Sequence, residues 1–336
     1  MARDTMDAVR FLGQSAIRVD RVEVPLPEGR EVVIKIKAAS ICGTDRENLE
    51  GKGQPTVPGH ENAGEVVAVD RPAWVSVGTR VAINCHVTCR HCAHCLNGDL
   101  YFCPELRVIG FDRDGGYADY LRVPEQCCMP LPQDISYEVG SLLVDMLGTP
   151  YRAVKRAGLL PGAQIAIWGA GPIGLGALLV AVALGSRAAV LDFSESRLQM
   201  ARELGAELAL NPRREDVSEV LAGWTDRRGL EAAFDCVGHE QAVRQGMAAL
   251  KKRGTQVIVG VSHRLELNPW EDFICRELTV YGSRNFNLAE FDEMIALVRH
   301  GLPVGKVITH RFKITEAERA FSVFRSGECG KILFVE

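Results

Sequence analysis

The sequence predicts an α/β protein made of a β-rich domain and a doubly wound parallel sheet. The chain has 336 residues, and at roughly 150 residues per domain this length suggests about two domains. Short apolar segments separated by Gly and Pro dominate the first part, which is typical of a compact β domain. Beyond Pro132 strands alternate with helical runs, as they do in βαβ units.

The first part of the chain carries strands whose apolar and charged residues alternate. The segment EVVIKIKAAS, at 31–40, has the alternation of a half-buried strand. Further short strands are expected at ENAGEVVAV, TRVAIN and YADYLRV. These elements predict a β domain that ends near the change of character at Pro132.

Four cysteines lie close together in the segment CRHCAHCLNGDLYFC, at Cys89, Cys92, Cys95 and Cys103. Gaps of two residues let the backbone turn so that successive sulfurs face one centre. Because four sulfurs fill a tetrahedron, the spacing predicts a structural zinc site without an open position. An iron–sulfur cluster accepts the same four ligands, and a reduced cysteine-rich loop is the simplest alternative.

A glycine-rich turn follows the apolar strand QIAIW. Gly169, Gly171 and Gly174 fit the pattern GxGxxG, with Pro172 and Ile173 between the last two glycines. The strand before this turn and the helix after it are the context that a dinucleotide-binding motif requires. Free N–H groups at the start of the helix would bind the pyrophosphate.

A second strand ends at Asp192, eighteen residues after Gly174. A carboxylate at this place accepts hydrogen bonds from the adenosine ribose hydroxyls and repels a 2′-phosphate. The sequence therefore favours NAD over NADP. A helix cap or a turn residue is the simpler interpretation of Asp192, and Arg197, five residues further on, completes the candidate cofactor contacts.

The rest of the chain continues the alternation of strands and helices. The segment ISYEVGSLLVDMLGTPYRAVKRAG predicts a helix before the glycine-rich turn. Later strands are expected at AAVLD, AAFDCVG, TQVIVGV and LTVYGS. Two helices, NLAEFDEMIALVRHG and TEAERAFSVFRSG, then precede a final strand, KILFVE.

Composition argues against several classes of protein. With 39 basic and 43 acidic residues, the chain lacks the basic excess that grips nucleic-acid phosphates. The uncharged stretch 163–186 is interrupted by glycines, and its uninterrupted apolar part is too short to cross a bilayer. No secretory signal is visible at the start, so we expect a cytoplasmic protein without a membrane partner.

Two short motifs precede the cysteine-rich segment: Cys42 in CGTD, and His60 with Glu61 in PGHE. Alone, each has a simple interpretation as a core cysteine or a surface pair. Together with the four cysteines and GxGxxG, in this order, they make the chain resemble the zinc-dependent medium-chain alcohol dehydrogenases, in particular the sorbitol, polyol and threonine branch. The resemblance spans almost the whole chain.

The resemblance implies a fold and a set of domain boundaries. It implies a GroES-like catalytic domain at 1–148 and 285–336, with the structural zinc lobe at about 85–105. A Rossmann NAD-binding domain at 149–284 lies between the two parts. It also implies a homo-oligomer, either a dimer or a tetramer.

The resemblance makes Cys42 and His60 ligands of a catalytic zinc, with Glu61 as a ligand or near-ligand. The fourth family position falls on Asp145, where polyol and threonine dehydrogenases have Glu and classical alcohol dehydrogenases have Cys. Asp is shorter than Glu by one methylene group. Binding of Asp145 to zinc directly, through water or not at all therefore stays open at this point.

The implied reaction is hydride transfer between an alcohol and NAD, with zinc as the Lewis acid. Thr44 matches the hydroxyl that begins the family's proton relay, and a turn role is its alternative. Glu47 stands where the family commonly has His. Because the usual pKa of Glu is about two units below that of His, we do not assign Glu47 a catalytic role.

Substrate class is the least determined feature of the sequence. Arg284 aligns with an arginine that the polyol branch uses near its substrate, and a surface ion pair is the alternative. We expect a polar secondary alcohol such as a sugar alcohol or cyclitol. An L-threonine 3-dehydrogenase and a carbonyl reductase working in reverse are the enzymatic alternatives. A binding protein without turnover and a zinc-ribbon nucleic-acid binder are the non-enzymatic ones.

Overall fold

The computed structural model describes residues 5–261 and 264–336. Its contacts divide the chain into two compact units. The first comprises Met1–Asp145, Asn287–Phe291 and Ile308–Glu336, and the second comprises Met146–Phe286 and Asp292–Val307. The domain boundaries expected from the sequence, after residues 148 and 284, stay a prediction.

Strands and helices follow one another along both units. The strands are β1 (Thr5–Gly13), β2 (Ala16–Glu23), β3 (Glu31–Ser40), β4 (Glu61–Val69), β5 (Arg80–Ile83), β6 (His86–Val87), β7 (Arg107–Val108), β8 (Tyr120–Pro124), β9 (Cys128–Pro130), β10 (Gln164–Trp168), β11 (Arg187–Leu191), β12 (Leu208–Leu210), β13 (Leu230–Asp235), β14 (Leu250–Ile258), β15 (Thr279–Gly282), β16 (Ile308–Phe312) and β17 (Lys331–Val335). The α-helices are α1 (Asp45–Glu50), α2 (Ala93–Leu96), α3 (Tyr137–Leu142), α4 (Gly148–Arg156), α5 (Pro172–Ala183), α6 (Glu195–Glu203), α7 (Val217–Trp224), α8 (Glu240–Ala249), α9 (Glu290–Arg299) and α10 (Ala317–Ser326).

The first unit is built around a sheet in which β3 is central. The order is β16-β17-β3-β4-β5-β9, and β8 also pairs with β3. Strand β3 runs antiparallel to β4 and β17, with Ser40 opposite Glu61 on one side and Leu333 on the other. This register brings the last strand of the chain to the place where β3 ends and the CGTD motif begins.

Strand β3 is buried more completely than its alternating sequence suggests. Val32, Val33 and Ile34 are all buried in succession, so both faces of this part of β3 are covered. Lys35 and Lys37 alternate with buried residues and are partly exposed. Both form ion pairs with Glu336. The central strand is therefore a core element, not a half-buried one.

The second unit contains a parallel six-stranded sheet in the order β12-β11-β10-β13-β14-β15. This order reverses direction between β10 and β13, as it does in doubly wound nucleotide-binding folds. Strand β10 is buried at all five positions, as expected of a strand in the middle of a parallel sheet covered on both faces. The predicted α/β fold with a Rossmann-type sheet is confirmed.

Several elements differ from the sequence prediction. The expected single helix at 135–158 is α3 and α4 with a π-helical turn, Leu143–Leu147, between them. Strands β12 and β16 are short or polar and were not predicted. Over the described residues, no helix combines the length and apolar character that a membrane-spanning segment needs.

Candidate metal and cofactor sites

Three predicted ligands, Cys42, His60 and Asp145, lie together in the first unit. Cys42 follows the end of β3, His60 directly precedes β4, and the π-helical turn carries Asp145. The Oδ2 atom of Asp145 lies 3.3 Å from the Sγ atom of Cys42 and 3.8 Å from the Nε2 atom of His60. The antiparallel pairing of β3 with β4 fixes the first two residues, and the π turn supplies the third.

The spacing of these three groups fits one zinc ion. In a tetrahedral site with Zn–S near 2.3 Å and Zn–N or Zn–O near 2.0 Å, neighbouring ligand atoms lie about 3.3–3.6 Å apart. The two distances to Asp145 fall close to that range. A Cys, a His and a carboxylate are a donor set that zinc accepts, and three protein ligands leave a fourth position open.

The charges around His60 favour a cation at this point. Burial lowers the pKa of His60, but the neighbouring Cys42 and Asp145 outweigh burial and raise it well above its usual value. Burial and the Asp145 carboxylate together raise the pKa of the Cys42 thiol. A positive charge is therefore stabilised where the three side chains meet.

Glu61 lies beside the three ligands but is held by other groups. One oxygen of its carboxylate lies within 4.8 Å of the ligand atoms. Both of its oxygens contact the Nζ atom of Lys331, at 2.6 and 2.5 Å, and the hydroxyl of Ser40 donates to Oε2. Lys331 and Glu61 are both buried, so the carboxylate is neutralised and hydrogen-bonded without a metal.

Asp45, in the CGTD motif, connects the first two ligands. Its Oδ2 atom accepts a hydrogen bond of 3.0 Å from the N–H of Cys42, and its Oδ1 atom lies 3.9 Å from the Nδ1 atom of His60. Within the described chain, His60 Nδ1 is buried without a hydrogen-bond partner. Metal-binding histidines characteristically direct their second nitrogen at a carboxylate, which is the place that Asp45 takes.

The four-cysteine lobe has the geometry of a closed metal site. The Sγ atom of Cys89 lies 3.9 Å from that of Cys95 and 3.6 Å from that of Cys103. A tetrahedral zinc with four sulfurs requires S···S distances of about 3.8 Å. All four ligand atoms, including that of Cys92, lie within 4.8 Å of one another, and this close grouping suits a single ion.

Backbone donors stabilise thiolate in this lobe. Hydrogen bonding from the backbone of His91 lowers the pKa of Cys89 to about 6, and the N–H of Cys92 contributes to the same effect. All eleven cysteines are free of disulfide bonds. Asn287 donates to the carbonyl of Asn97, which ties residues beyond the nucleotide-binding sheet to the lobe.

The glycine-rich turn joins β10 to α5 as its motif predicts. Gly169 has a φ of +97°, a conformation that only glycine adopts without strain. A Cβ atom on Gly174 would lie 1.8 Å from the carbonyl oxygen of Gly169. Gly171 is the N-cap of α5, Pro172 and Ile173 form its first turn, and a Cβ atom on Gly171 would meet nothing within 4 Å.

Asp192 lies at the carboxyl end of β11, next to the glycine-rich turn. Its two oxygens accept hydrogen bonds from the backbone of Ala170, at 2.7 Å, and of Ser194, at 2.9 Å. These bonds hold the carboxylate beside the turn while part of it stays accessible. Arg197 lies half-buried on α6, and Arg284 is exposed in the second unit.

Thr44, the expected start of the proton relay, and Glu47, to which no catalytic role is assigned, lie on the surface. Thr44 and Glu47 are exposed at the start of α1, immediately after Cys42. The role of Thr44 stays a prediction.

Sequence reasoning assigned no role to four residues of the site: Asp45, Lys331, Ser40 and Tyr117. Lys331 is a charged residue directly before the apolar run ILFV, and this mismatch is the signal that marks a buried ion pair. Ser40 and Tyr117 carry no comparable signal. Tyr117 lies within GGYADY and reaches Asp45 only through the tertiary fold.

Two models of known protein families match the parts of the chain that carry these sites. Residues 28–133 match the model of the alcohol dehydrogenase GroES-like domain. Residues 172–300 match the model of zinc-binding dehydrogenases. The first match contains Cys42, His60 and the four cysteines, and the second begins at the glycine-rich turn.

Individual proteins resemble the chain over nearly its whole length. An L-threonine 3-dehydrogenase of Chromobacterium violaceum is 31% identical over 332 residues, which are 95% of this chain and 97% of the relative. An alcohol dehydrogenase of Escherichia coli CFT073, solved with NADH, superposes with a TM-score of 0.90 at 26% identity, covering 99% of this chain and 100% of that one. Galactitol-1-phosphate dehydrogenase from Escherichia coli also gives 0.90 at 26% identity, covering 98% and 100%.

Proposed function

Because this chain belongs to the zinc-binding medium-chain alcohol dehydrogenase family, we propose that it oxidises a polar secondary alcohol with NAD. The chain is a zinc-dependent, NAD(P)-linked alcohol dehydrogenase, an EC 1.1.1 oxidoreductase. The observation that supports the finer proposal is the meeting of Cys42, His60 and Asp145 around one point. Their spacing suits a metal that keeps one position open for substrate.

The residues of the first unit would hold the catalytic zinc and orient it. When bound, zinc acts as a Lewis acid that lowers the pKa of a substrate hydroxyl, and NAD accepts the hydride. Cys42, His60 and Asp145 are the proposed ligands. Glu61, whose carboxylate oxygens contact Lys331 and Ser40, stays a predicted ligand or near-ligand beside them.

Proton transfer to solvent is proposed to begin at Thr44. Its hydroxyl is exposed, two residues after Cys42, so a proton released at the substrate has a short path to water. Glu47 lies one turn further along α1 and is also exposed. No catalytic step is assigned to it.

NAD is the proposed cofactor because Asp192 presents a carboxylate next to the glycine-rich turn. That carboxylate would accept hydrogen bonds from ribose hydroxyls and repel a 2′-phosphate. The N-terminus of α5 offers free N–H groups, and the space above Gly171 allows a pyrophosphate to approach the backbone. The second, four-cysteine ion has only a structural role, which makes two zinc ions per chain.

A polyol, sugar alcohol or cyclitol is the proposed substrate class. A catalytic site with a carboxylate ligand resembles the polyol and threonine branch, and Arg284 offers donors for a hydroxyl-rich substrate. The similarity to an L-threonine 3-dehydrogenase supports threonine as the second candidate. The similarity to galactitol-1-phosphate dehydrogenase supports the sugar-alcohol class.

One experiment tests metal content and substrate together. Zinc per chain is measured on the purified protein, which is then mixed with NAD and a panel of polyols, cyclitols, threonine and simple alcohols while NADH absorbance is followed. We expect two zinc ions and turnover of one polar secondary alcohol that a chelator abolishes. Turnover of simple primary alcohols alone would exclude the proposed substrate class, and one zinc ion per chain would exclude the catalytic metal.

The role of Asp145 has its own test. Asp145→Ala removes one of three ligands, so we expect zinc to fall from two ions per chain to about one and kcat to fall by 100-fold or more. Asp226→Ala serves as the control, because the side chain of Asp226 is 82% exposed in an isolated ion pair. Retention of two zinc ions by the Asp145 variant would show that Asp145 is not a direct ligand.

A further inference from the structure

Tyr117 is fully buried next to Asp45, which adjoins the proposed metal ligands. The ring of Tyr117 packs edge-on against Phe334 at 5.2 Å and Phe321 at 6.0 Å between centroids. Its hydroxyl lies 2.5 Å from Asp45 Oδ2 and 3.1 Å from the carbonyl oxygen of Ser40. A phenol that donates to a buried carboxylate makes a charge-assisted hydrogen bond, which is stronger than a neutral one.

The backbone holds Tyr117 against the turn that carries His60. The N–H of Tyr117 donates to the carbonyl of Pro58, and the N–H of Gly116 donates to that of Gly59. A Cβ atom on Gly59 would lie 2.4 Å from the ring of Tyr117. The tyrosine and the PGHE turn therefore pack in direct contact.

Asp45 lies between Tyr117 and the proposed ligands Cys42 and His60. Its Oδ2 atom receives both the hydroxyl of Tyr117 and the N–H of Cys42. Because Oδ2 accepts two hydrogen bonds, the other oxygen, Oδ1, is the one nearest the Nδ1 atom of His60, at 3.9 Å. The tyrosine hydroxyl thus fixes the rotation of the carboxylate that faces the histidine.

We propose that Tyr117 is a positioning residue of the catalytic metal centre, whose hydroxyl orients Asp45 and, through Asp45, the imidazole of His60. The inference rests on the proposed zinc site at Cys42, His60 and Asp145. Packing alone does not require the hydroxyl, because phenylalanine has the same ring and would fill the same aromatic cluster. A buried hydroxyl is costly unless it is hydrogen-bonded, and here it meets the carboxylate that lies nearest the Nδ1 atom of His60.

The test removes only the hydroxyl. In Tyr117→Phe we expect the affinity of the catalytic site for zinc to fall about tenfold, the lower end of the range for outer-shell partners of a metal ligand. The affinity is measured by chelator competition, with the four-cysteine zinc retained as an internal reference. With cobalt in the catalytic site, the visible absorption of the variant should differ from that of the wild type.

Tyr151→Phe is the matched control. Its hydroxyl also donates to a carboxylate, Glu293, at 2.5 Å, but in the second unit. We expect this variant to keep wild-type zinc affinity and cobalt absorption. An equal loss in both tyrosine variants would show a general effect on stability and overturn the proposal.

A double variant shows whether Tyr117 acts through Asp45. Asp45→Asn should weaken zinc binding, and adding Tyr117→Phe to it should have little further effect, because the two groups act in one chain of contacts. Additive losses would overturn the proposal. Wild-type protein with one zinc ion per chain would refute the proposed catalytic site itself, whereas two ions with unchanged affinity in Tyr117→Phe would refute only the role of the tyrosine.

Discussion

At the level of single residues, the pair Lys331–Glu61 neutralises one of the two carboxylates that lie near Cys42 and His60. Burial raises the pKa of Glu61, and the ammonium of Lys331 opposes that rise. Burial also works to lower the pKa of Lys331, but the charge of Glu61 outweighs it and raises the value. The ion pair therefore occupies Glu61 and leaves Asp145 as the carboxylate that faces Cys42 and His60.

Lys331→Met should destabilise the first unit strongly. Removing one partner of a buried ion pair leaves a charge without compensation, which costs about 3–5 kcal/mol. The measurement is the free energy of unfolding in urea. Adding Glu61→Gln to Lys331→Met removes the orphaned charge and should recover part of the loss, whereas a single variant as stable as the wild type would contradict this account.

Asp192→Ser should relax the cofactor preference. Serine keeps an acceptor for the neighbouring N–H groups but removes the charge that repels a 2′-phosphate, so the NADP to NAD ratio of kcat/KM should rise at least about tenfold. Asp216→Ser makes the same chemical change at the N-cap of α7, where serine also caps well. If the ratio of kcat/KM for NADP to that for NAD changes equally in both variants, Asp192 does not determine the choice of cofactor.

At the level of elements, distant parts of the chain complete the first unit. Strand β17 pairs with β3 and delivers Lys331 to Glu61. The π-helical turn, an extra residue wound into a helix, is a feature often found at functional sites. It gives Asp145 its place beside Cys42.

An ion pair between β16 and α3 makes the attachment of the C-terminal segment depend on pH. Arg311 binds both oxygens of Glu138 at 2.7 Å and thereby lowers the pKa of that carboxyl. At pH values above the usual carboxyl pKa of about 4.3, the lowered pKa of Glu138 contributes stability to the folded state. This contribution is lost as pH falls through the lowered pKa. Both side chains are about one-third or more exposed, so solvent screening keeps the contribution below about 1 kcal/mol.

Glu138→Gln should therefore lower the urea midpoint at pH 7 and converge with the wild type near pH 3. Unfolding curves from pH 3 to 7 measure the effect. Arg311→Gln should give the same profile, and the double variant should lose no more than either single one. A difference that persists unchanged at pH 3 would show that packing, not charge, is responsible.

At the level of the whole molecule, the second unit leaves apolar side chains exposed in the segment that precedes its edge strand in the chain. Strand β15 is the last strand of its sheet. Trp270 and Ile274, one helical turn apart, are 63% and 59% exposed. An edge strand with nearby apolar groups is a surface that favours association with another copy.

We expect the protein to sediment at two or four times its chain mass of 36.8 kDa. Trp270→Glu places a charge in this surface and should shift the population toward single chains. Leu26→Glu is the control, because Leu26 is 68% exposed but lies in the first unit. If Leu26→Glu dissociates the oligomer and Trp270→Glu does not, the subunit interface lies away from Trp270.

The sequence by itself determined the chemistry that local spacing controls. Four cysteines separated by short gaps, the glycines of the turn and an acidic residue after the next strand each work within a few neighbouring residues, so their types and spacing identify them. Family and fold class followed from these motifs, and the candidate ligands Cys42, His60 and the four cysteines were proposed from them.

Only the tertiary structure decided how side chains far apart in the chain combine. Lys331 meets Glu61 across 270 residues, and Tyr117 meets Asp45 across 72. These contacts depend on strand register and on a π-helical turn, which no local pattern specifies. For this reason the sequence left open how the two nearby carboxylates are arranged. In the structure Asp145 lies 3.3 Å from the sulfur of Cys42, while Glu61 is paired with a lysine from the last strand.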